Sequence, residues 1–275
     1  MDKIIEYMLA EDEGFGDITS EAVVENDKIV TAHIISKDEG ILAGVDIIRE
    51  LFEEKGVQVT FWMKDGSAIS KDDLLISLKG DAKTILLLER TALNLFMRMS
   101  GVASAANNYV RLVKEYDVRI AGTRKTAPAL GKFDKYALKV GGADTHRFSL
   151  DDMVLIKDNH IAACGTPLET LLKAKQNTSF SKKIEIEVET LDDAIECVQN
   201  RADIVMLDNM SPDEVNEVIF KLNDLNIRQN SLIEISGGIN SENILDYVDA
   251  GADIISIGAL THASRSLNFS LKIDS

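Results

Sequence analysis

Residues 182–191 read KKIEIEVETL, and their alternation predicts a β-strand with two unlike faces. Side chains of a strand point to opposite sides in turn, so Glu185, Glu187 and Glu189 share one face while Ile and Val line the other. If the strand is central in its sheet, these carboxylates face an interior and need cationic or hydrogen-bonding partners there. The stretch therefore predicts a buried strand beside a polar cavity.

Five other β-branched runs share this character, and helical stretches separate them. In chain order the six runs are VRIAGT (118–123), MVLIKDN (153–159), IEIEVE (184–189), DIVMLDN (203–209), LIEISGG (232–238) and DIISIGA (253–259). Strands that alternate with helices predict a parallel sheet, and six such units favour a closed or nearly closed α/β barrel. An open doubly wound sheet is the alternative. The barrel is preferred because each run ends in polar residues or glycine, as the active-site edge of such barrels requires.

The first hundred residues mix strands and helices. IVTAHIISKDEGILAG (29–44) and VQVTFWMKDGSAIS (57–70) alternate like strands, and VDIIRELFEEKG (45–56) between them has helical spacing. A long helix is predicted from Ala82 to Tyr116, with a break at Ser100 and Gly101.

Composition limits the possible partners. The 275 residues include 30 Lys and Arg against 46 Asp and Glu, a net charge of −16. We therefore expect neither nucleic acid nor an anionic membrane as a partner, and an anionic ligand needs a local cationic pocket. The only cysteines, Cys164 and Cys197, form no disulfide framework or zinc motif, and no apolar run approaches the roughly 18 residues of a membrane span. A cytoplasmic protein is expected.

Basic residues follow two of the predicted strands. Arg124 and Lys125 come just after the first, where they suit a carboxylate or phosphate, although an isolated pair is more often a solvated turn. Lys157 follows the second of these strands. Its possible roles are a Schiff-base nucleophile, a cation that binds an anionic ligand, or an ion-pair partner of Glu185 or Glu189.

Acidic residues end two further strands. Glu187 and Asp208 are placed to hold Mg²⁺, to bind ribose hydroxyls or to stabilise positive charge at a reacting carbon. Caps for the following helices are the alternative.

Glycine-rich turns follow the last two strands. In SGGINSENI (236–244) we expect Asn240 or Ser241 to cap the next helix and to leave backbone N–H groups for a phosphate. SIGALTH (256–262) follows the last strand, and these two strand ends are the recurrent phosphate site of α/β barrels. A tight turn without a ligand is the alternative. The histidines have no metal-ligand spacing, but His146 and His262 each lie beside a candidate anion site.

Taken in order, these motifs resemble the quinolinate phosphoribosyltransferase family, the carboxylating nicotinate-nucleotide pyrophosphorylases, over nearly the whole chain. The segments that carry the resemblance are GFGDITS (14–20), ERTALNLFMRMSGVAS (89–104), AGTRKTAPAL (121–130), GGADTHRFSLDDMVLIKDNH (141–160), IEVET (186–190), DIVMLDNM (203–210), IEISGGIN (233–240) and SIGALTHA (256–263).

The resemblance implies an incomplete α/β (TIM-like) barrel, residues 105–262, with an N-terminal α/β sandwich domain, residues 1–104, to which 263–275 return. It implies a homodimer with shared active sites, or a higher oligomer of dimers. The implied reaction joins quinolinate to phosphoribosyl pyrophosphate with Mg²⁺ and yields nicotinate mononucleotide, pyrophosphate and carbon dioxide.

The resemblance also implies roles for individual residues. Those that match the quinolinate site are Arg124, His146, Arg147 and Lys157, with Arg90 supplied by the neighbouring subunit. Lys125 matches a lysine on the phosphoribosyl pyrophosphate side, and Glu187 and Asp208 match the acids near Mg²⁺ and the ribose. The residues that match the phosphate cradle are Ser236, Gly237, Gly238, Gly258 and His262.

Two positions depart from the family pattern, and four other functions compete with it. Ala129 stands after Pro128 where the family usually has glycine, and Ala143 replaces a frequent third glycine before His146. The competing functions are those of a pyrophosphorylase-like paralogue of molybdenum uptake loci, a transferase acting on nicotinate itself, a Schiff-base aldolase using Lys157 and a non-catalytic binding protein.

Overall fold

The computed structural model describes residues 2–274, which form two compact units. The first unit contains the chain up to Asn107, Ala127–Gly142 and the chain from Ala263 onward; the second contains Asn108–Thr126 and Ala143–His262. The boundary expected between residues 104 and 105 lies inside a single helix, Ala82–Leu112. It stays a proposal.

The helices and strands follow the predicted alternation. The earlier elements are α1 (Lys3–Glu13), α2 (Ile18–Val23), β1 (Ile29–Ser36), β2 (Gly40–Ile41), α3 (Val45–Glu53), β3 (Gln58–Phe61), β4 (Ala68–Ile69), β5 (Leu74–Asp81), α4 (Ala82–Leu112), β6 (Arg119–Ala121) and α5 (Gly131–Val140). The later ones are β7 (Val154–Ile156), α6 (Asp158–Cys164), α7 (Pro167–Asn177), β8 (Ile184–Val188), α8 (Leu191–Gln199), β9 (Ile204–Asp208), α9 (Pro212–Asp224), a 3₁₀ turn (Arg228–Asn230), β10 (Leu232–Ser236), α10 (Ile244–Val248), β11 (Ile254–Ser256), α11 (Ala259–His262) and β12 (Phe269–Ile273).

The first unit is built on an antiparallel sheet in the order β12, β1, β5, β3, with β2 and β4 as a separate pair. Its core includes Ile34, Ile76 and Leu78 from the sheet and Phe96 from α4, all at most 1% exposed. Sequence analysis missed β5 and β12, although β5 pairs with both β1 and β3. The α/β character of this unit is as predicted.

Helix α4 shows no break at Ser100 and Gly101, so that prediction was wrong. Glycine lowers helix propensity, but Gly101 is buried against the segment that precedes β12. A Cβ at this position would lie 2.2 Å from the carbonyl oxygen of Arg265. The glycine therefore permits close packing within the first unit and does not end the helix.

The second unit is a parallel sheet of six strands in the order β6, β11, β10, β9, β8, β7. All six predicted strands are present, and helices alternate with them. The strands β6 and β7 are the two edges of the sheet, and within residues 2–274 no ladder joins them. Asp144 makes a single parallel bridge to Ala121 of β6. The barrel is therefore incomplete, as predicted.

Alternate residues of the strands face the barrel interior. From β8 and β9, Glu187, Met206 and Asp208 line a cavity at the carboxyl ends of the strands, and Glu234 and Ser236 of β10 do the same. The hydrophobic residues between them are buried on the opposite face, against the helices. This two-residue period places the predicted polar groups around one cavity. No helix within residues 2–274 is long and apolar enough to cross a membrane.

Candidate active site

The cavity at the carboxyl ends of the barrel strands has a volume of about 420 Å³. It collects most of the residues that the sequence singles out. Those that line it are Arg124, Lys125, His146, Arg147, Lys157, Glu187, Asp208 and Ser236. Because parallel strands end at the same edge, residues from distant parts of the chain meet there.

Two guanidinium groups lie in this cavity. Burial lowers the pKa of Arg147, and the positive charge of Arg124 lowers it further. Two like charges in one half-buried site repel each other until an anion binds between them or beside them. Their planar donor arrays suit carboxylates in particular.

Lys157 at the end of β7 forms an ion pair with Glu187 of β8. Sequence analysis proposed Glu185 or Glu189 as the structural partner of this lysine, and that assignment was wrong. Glu185 lies deeper in the barrel and Glu189 is exposed. The neighbouring strands β7 and β8 bring the two charged strand ends together. The Lys157 side chain is 43% exposed and the Glu187 side chain 10%, so the ammonium group remains accessible to a ligand.

Asp208 ends β9 beside these groups. Burial raises the pKa of its carboxyl, while the charges of Lys157 and Lys125 and a hydrogen bond from Ser236 act in the opposite direction. A carboxylate held this way, with a second one on the adjacent strand, can interact with a cation or with hydroxyl groups.

The glycine turns pack closely against functional groups. Gly237 has φ +99°, and a Cβ there would lie 2.3 Å from Oδ1 of Asn209. A Cβ on Gly258 would lie 3.0 Å from Cδ of Lys125 and 3.3 Å from Nε2 of His262. His262 and Gly258 therefore adjoin Lys125. The residues that line the cavity do not include His262 or the glycines Gly237, Gly238 and Gly258.

The predicted helix cap after Gly238 was wrong. Asn243, not Asn240 or Ser241, precedes α10, and its side chain does not cap the helix. The side chain of Asn240 accepts hydrogen bonds from the backbone N–H groups of Glu242 and Asn243. These two N–H groups are therefore used within the turn.

His146 lies at the base of the cavity between two buried glutamates. Its Nε2 is 3.2 Å from Glu234 Oε2 and 3.3 Å from Glu185 Oε2. Burial acts to lower the pKa of His146, whereas the hydrogen bonds and negative charges of Glu185 and Glu234 act to raise it. A second ring proton would have to lie on Nδ1, where the backbone N–H of Arg147 already donates from 2.9 Å. The carboxylates can take that proton instead, because burial raises the pKa of Glu185.

Two polar residues that line the cavity, Glu234 and Ser256, were not predicted from the sequence. Both carried a usable signal, because each lies two residues from another position on the inner face of its strand. Glu234 precedes Ser236 in LIEIS by the same spacing that joins Glu185 to Glu187.

Arg90 lies on α4 in the first unit and is exposed. It lines a different cavity, of about 680 Å³, together with Glu11, Asp12 and Arg98 of the same unit. Its predicted role at a quinolinate site stays a prediction.

Models of the two domains of quinolinate phosphoribosyl transferase match this chain in sequence, the N-terminal domain over residues 17–100 and the C-terminal domain over residues 102–272. The chain belongs to the quinolinate phosphoribosyltransferase family. It is 45% identical to a probable carboxylating nicotinate-nucleotide pyrophosphorylase of Methanocaldococcus jannaschii, over 98% of this chain and 96% of that one. A protein of the same name from Methanothermobacter thermautotrophicus is 41% identical, over 98% of each.

Solved structures agree with this membership. The nicotinate-nucleotide pyrophosphorylase of Francisella tularensis superimposes with a TM-score of 0.91 at 34% identity, and the match covers 99% of this chain and 95% of that one.

Ala129, one of the two departures from the family pattern, has an unusual backbone conformation. Ala129 has φ +64°, in the left-handed region that glycine adopts most readily. Ala129 therefore holds a backbone conformation after Pro128 that glycine would adopt more easily.

Proposed function

We propose that this chain transfers the phosphoribosyl group of phosphoribosyl pyrophosphate to the ring nitrogen of quinolinate. Loss of the carboxylate next to that nitrogen then gives nicotinate mononucleotide, with pyrophosphate and carbon dioxide as the other products. The observation that carries the proposal is the cation cluster. Arg124, Lys125, Arg147 and Lys157 line one cavity in a chain of net charge −16. A dianionic pyridine and a polyanionic sugar phosphate need such a cluster.

The cations divide between the two substrates. Arg124 and Arg147 offer planar forks to the quinolinate carboxylates, and Lys157 adds a point charge. Lys125 adjoins Gly258 and His262, the side on which we place the phosphates. Ser236, Gly237 and Gly238 complete this proposed cradle.

The carboxylates act on the charge that forms during transfer. Departure of pyrophosphate leaves positive charge on the anomeric carbon. Glu187 and Asp208, two cavity acids at the carboxyl ends of adjacent strands, can stabilise it. Attack by the ring nitrogen then produces a pyridinium. The positive charge on the ring nitrogen stabilises the electron pair that remains on the adjacent carbon when its carboxylate leaves as carbon dioxide, and a proton from solvent then adds to that carbon.

The same two acids fit Mg²⁺. This ion is commonly held by one or two carboxylates together with water and substrate phosphates, and not by a cage of protein ligands. Glu187 and Asp208 supply two carboxylates at the mouth of the cavity, where a sugar pyrophosphate would bring its own oxygens. When bound, Mg²⁺ would neutralise charge on the departing pyrophosphate.

The test is incubation with phosphoribosyl pyrophosphate and quinolinate labelled in the carboxylate next to the ring nitrogen. We expect labelled carbon dioxide and nicotinate mononucleotide in equal amounts. Nicotinate in place of quinolinate is the matched control and should give little product. Product from nicotinate alone would favour decarboxylation-free transfer, and no product from either would contradict the proposal. Borohydride trapping of a substrate on Lys157 would instead indicate a Schiff-base aldolase.

Changing Arg124 or Arg147 to lysine keeps the charge and removes the two-pronged donor array. We expect quinolinate binding to weaken by about 1–3 kcal/mol in either variant, because a charged hydrogen bond is lost. Calorimetric titration with quinolinate measures the effect, and Arg201→Lys, on the exposed surface after α8, is the control. Wild-type affinity in both variants would remove these arginines from the carboxylate site.

The enzyme we propose is a cytoplasmic homodimer in which Arg90 acts on the partner's barrel. Mixing Arg90→Ala with Lys157→Ala under conditions of subunit exchange tests this. Each mixed dimer would contain one site with both defects and one with neither, so about a quarter of all sites should recover after random exchange. Either variant incubated alone is the control. Verified exchange without recovered activity would show that Arg90 does not act in trans.

A further inference from the structure

Two glutamates are completely buried in the barrel without the partners that such groups normally have. Glu185 and Glu234 are both 0% exposed. Among the described residues, neither oxygen of Glu185 makes a hydrogen bond, and nor does Oε1 of Glu234. Burying carboxylates in this way is costly, and apolar residues of similar size would often be more stabilising. Their presence therefore calls for a task other than stability.

Among the described residues, His146 lies within 3.3 Å of both glutamates. Its Nε2 lies 3.2 Å from Glu234 and 3.3 Å from Glu185, and its Nδ1 accepts the backbone N–H of Arg147. Since Nδ1 acts as an acceptor, the ring proton lies on Nε2, where Glu234 can accept it. Both ring nitrogens are thus occupied by protein groups.

This arrangement argues against a metal ion between the three side chains. A metal-bound histidine uses the lone pair of one nitrogen and donates the N–H of the other to a neighbouring acceptor. Here the neighbouring group is itself a donor, the N–H of Arg147, so Nε2 has no lone pair to offer. The two glutamates select a tautomer and do not form a coordination site.

The backbone at His146 needs such support. Its φ is +52°, which a residue with a side chain adopts at some cost in free energy. The hydrogen bond from the next N–H to Nδ1 closes this turn locally, and Arg147 then points its guanidinium into the cavity with Arg124. If the His146 ring rotated by 180°, Nδ1 would no longer accept the N–H of Arg147, and the turn would lose this hydrogen bond.

We propose that Glu185 and Glu234 are positioning residues for the substrate carboxylate site, acting through His146 on Arg147. This inference rests on the proposed function, because quinolinate is the ligand that Arg147 would hold. Lys125, Gly258 and His262, which we place on the phosphate side, follow β6 and β11, whereas Glu185 and Glu234 lie on β8 and β10. The pair should therefore affect binding of the pyridine dicarboxylate and leave binding of the sugar pyrophosphate unchanged.

The wild-type protein provides the first test. In protein labelled with ¹⁵N-histidine, the four imidazoles can be separated by NMR, and His146→Gln identifies the signals of interest. We expect His146 to be neutral, with its proton on Nε2, in the absence of substrate. A proton on Nδ1 would overturn the inference, whether or not the variants below fold.

The second test compares Glu185→Gln/Glu234→Gln with Glu217→Gln, a control on the exposed face of α9. We expect the double variant to lose the single tautomer and to bind quinolinate about tenfold more weakly, the effect of about one hydrogen bond. Affinity for phosphoribosyl pyrophosphate should change less than twofold. An equal loss for both ligands, or no loss for either, would overturn the positioning role. Wild-type protein that binds no quinolinate would instead contradict the proposed function.

Discussion

Glu187→Gln and Asp208→Asn should each lower turnover by about a hundredfold, because loss of one preorganised electrostatic group at a transition state typically has an effect of this size. The affinity for quinolinate should change much less, since the charge that these acids stabilise develops only as pyrophosphate departs. Measuring kcat and the quinolinate dissociation constant for each variant separates the two effects.

The controls for this experiment lie on α9. Glu217→Gln and Asp213→Asn make the same chemical changes at exposed positions and should leave turnover at the wild-type value. Glu187→Gln also removes the partner of Lys157, so some loss of quinolinate affinity is expected in that variant alone. Turnover that is unchanged in both active-site variants would assign the two acids a purely structural role.

Chelation of divalent cations should abolish product formation. The basis is the fit of Glu187 and Asp208 to Mg²⁺ together with the charge on the leaving pyrophosphate, which Lys125 alone would not neutralise. The measurement is carbon dioxide release in excess EDTA, followed by addition of Mg²⁺ or Mn²⁺ beyond the chelator.

The chelation experiment has two controls. Quinolinate binding, which we assign to the arginines, should persist in EDTA, and this shows that the protein remains folded. Activity should return with the added ion. Full activity in excess chelator would mean that the cation cluster alone stabilises the leaving group, and Mg²⁺ would then have no part in the reaction.

The barrel was predictable from the sequence because its signals are local. Each strand is a short β-branched run, and the polar residue at its carboxyl end follows directly in the chain. Parallel pairing then brings Arg124, Lys157, Glu187 and Asp208 to one edge without further information.

Apart from the helix cap before α10, the misassignments concern contacts between residues that are far apart in sequence. The helix break at Gly101 was inferred from propensity, but the packing of Arg265 decides the role of that glycine. The partner of Lys157 depends on the register between β7 and β8, and Glu234 meets His146 88 positions away. Alternation of residue types along a strand indicates which side chains face the barrel interior. It does not determine which of these side chains contact each other across strands.

The position of β12 has a consequence for synthesis of the protein on the ribosome. Residues 269–273 pair with β1, so His33 lies opposite Lys272 in the register. The sheet of the first unit therefore cannot be completed until the whole barrel has been translated. Until then β1 exposes one edge, and an exposed edge is a site for pairing with another chain. During this period, chaperones that bind extended segments would act on the nascent chain at β1.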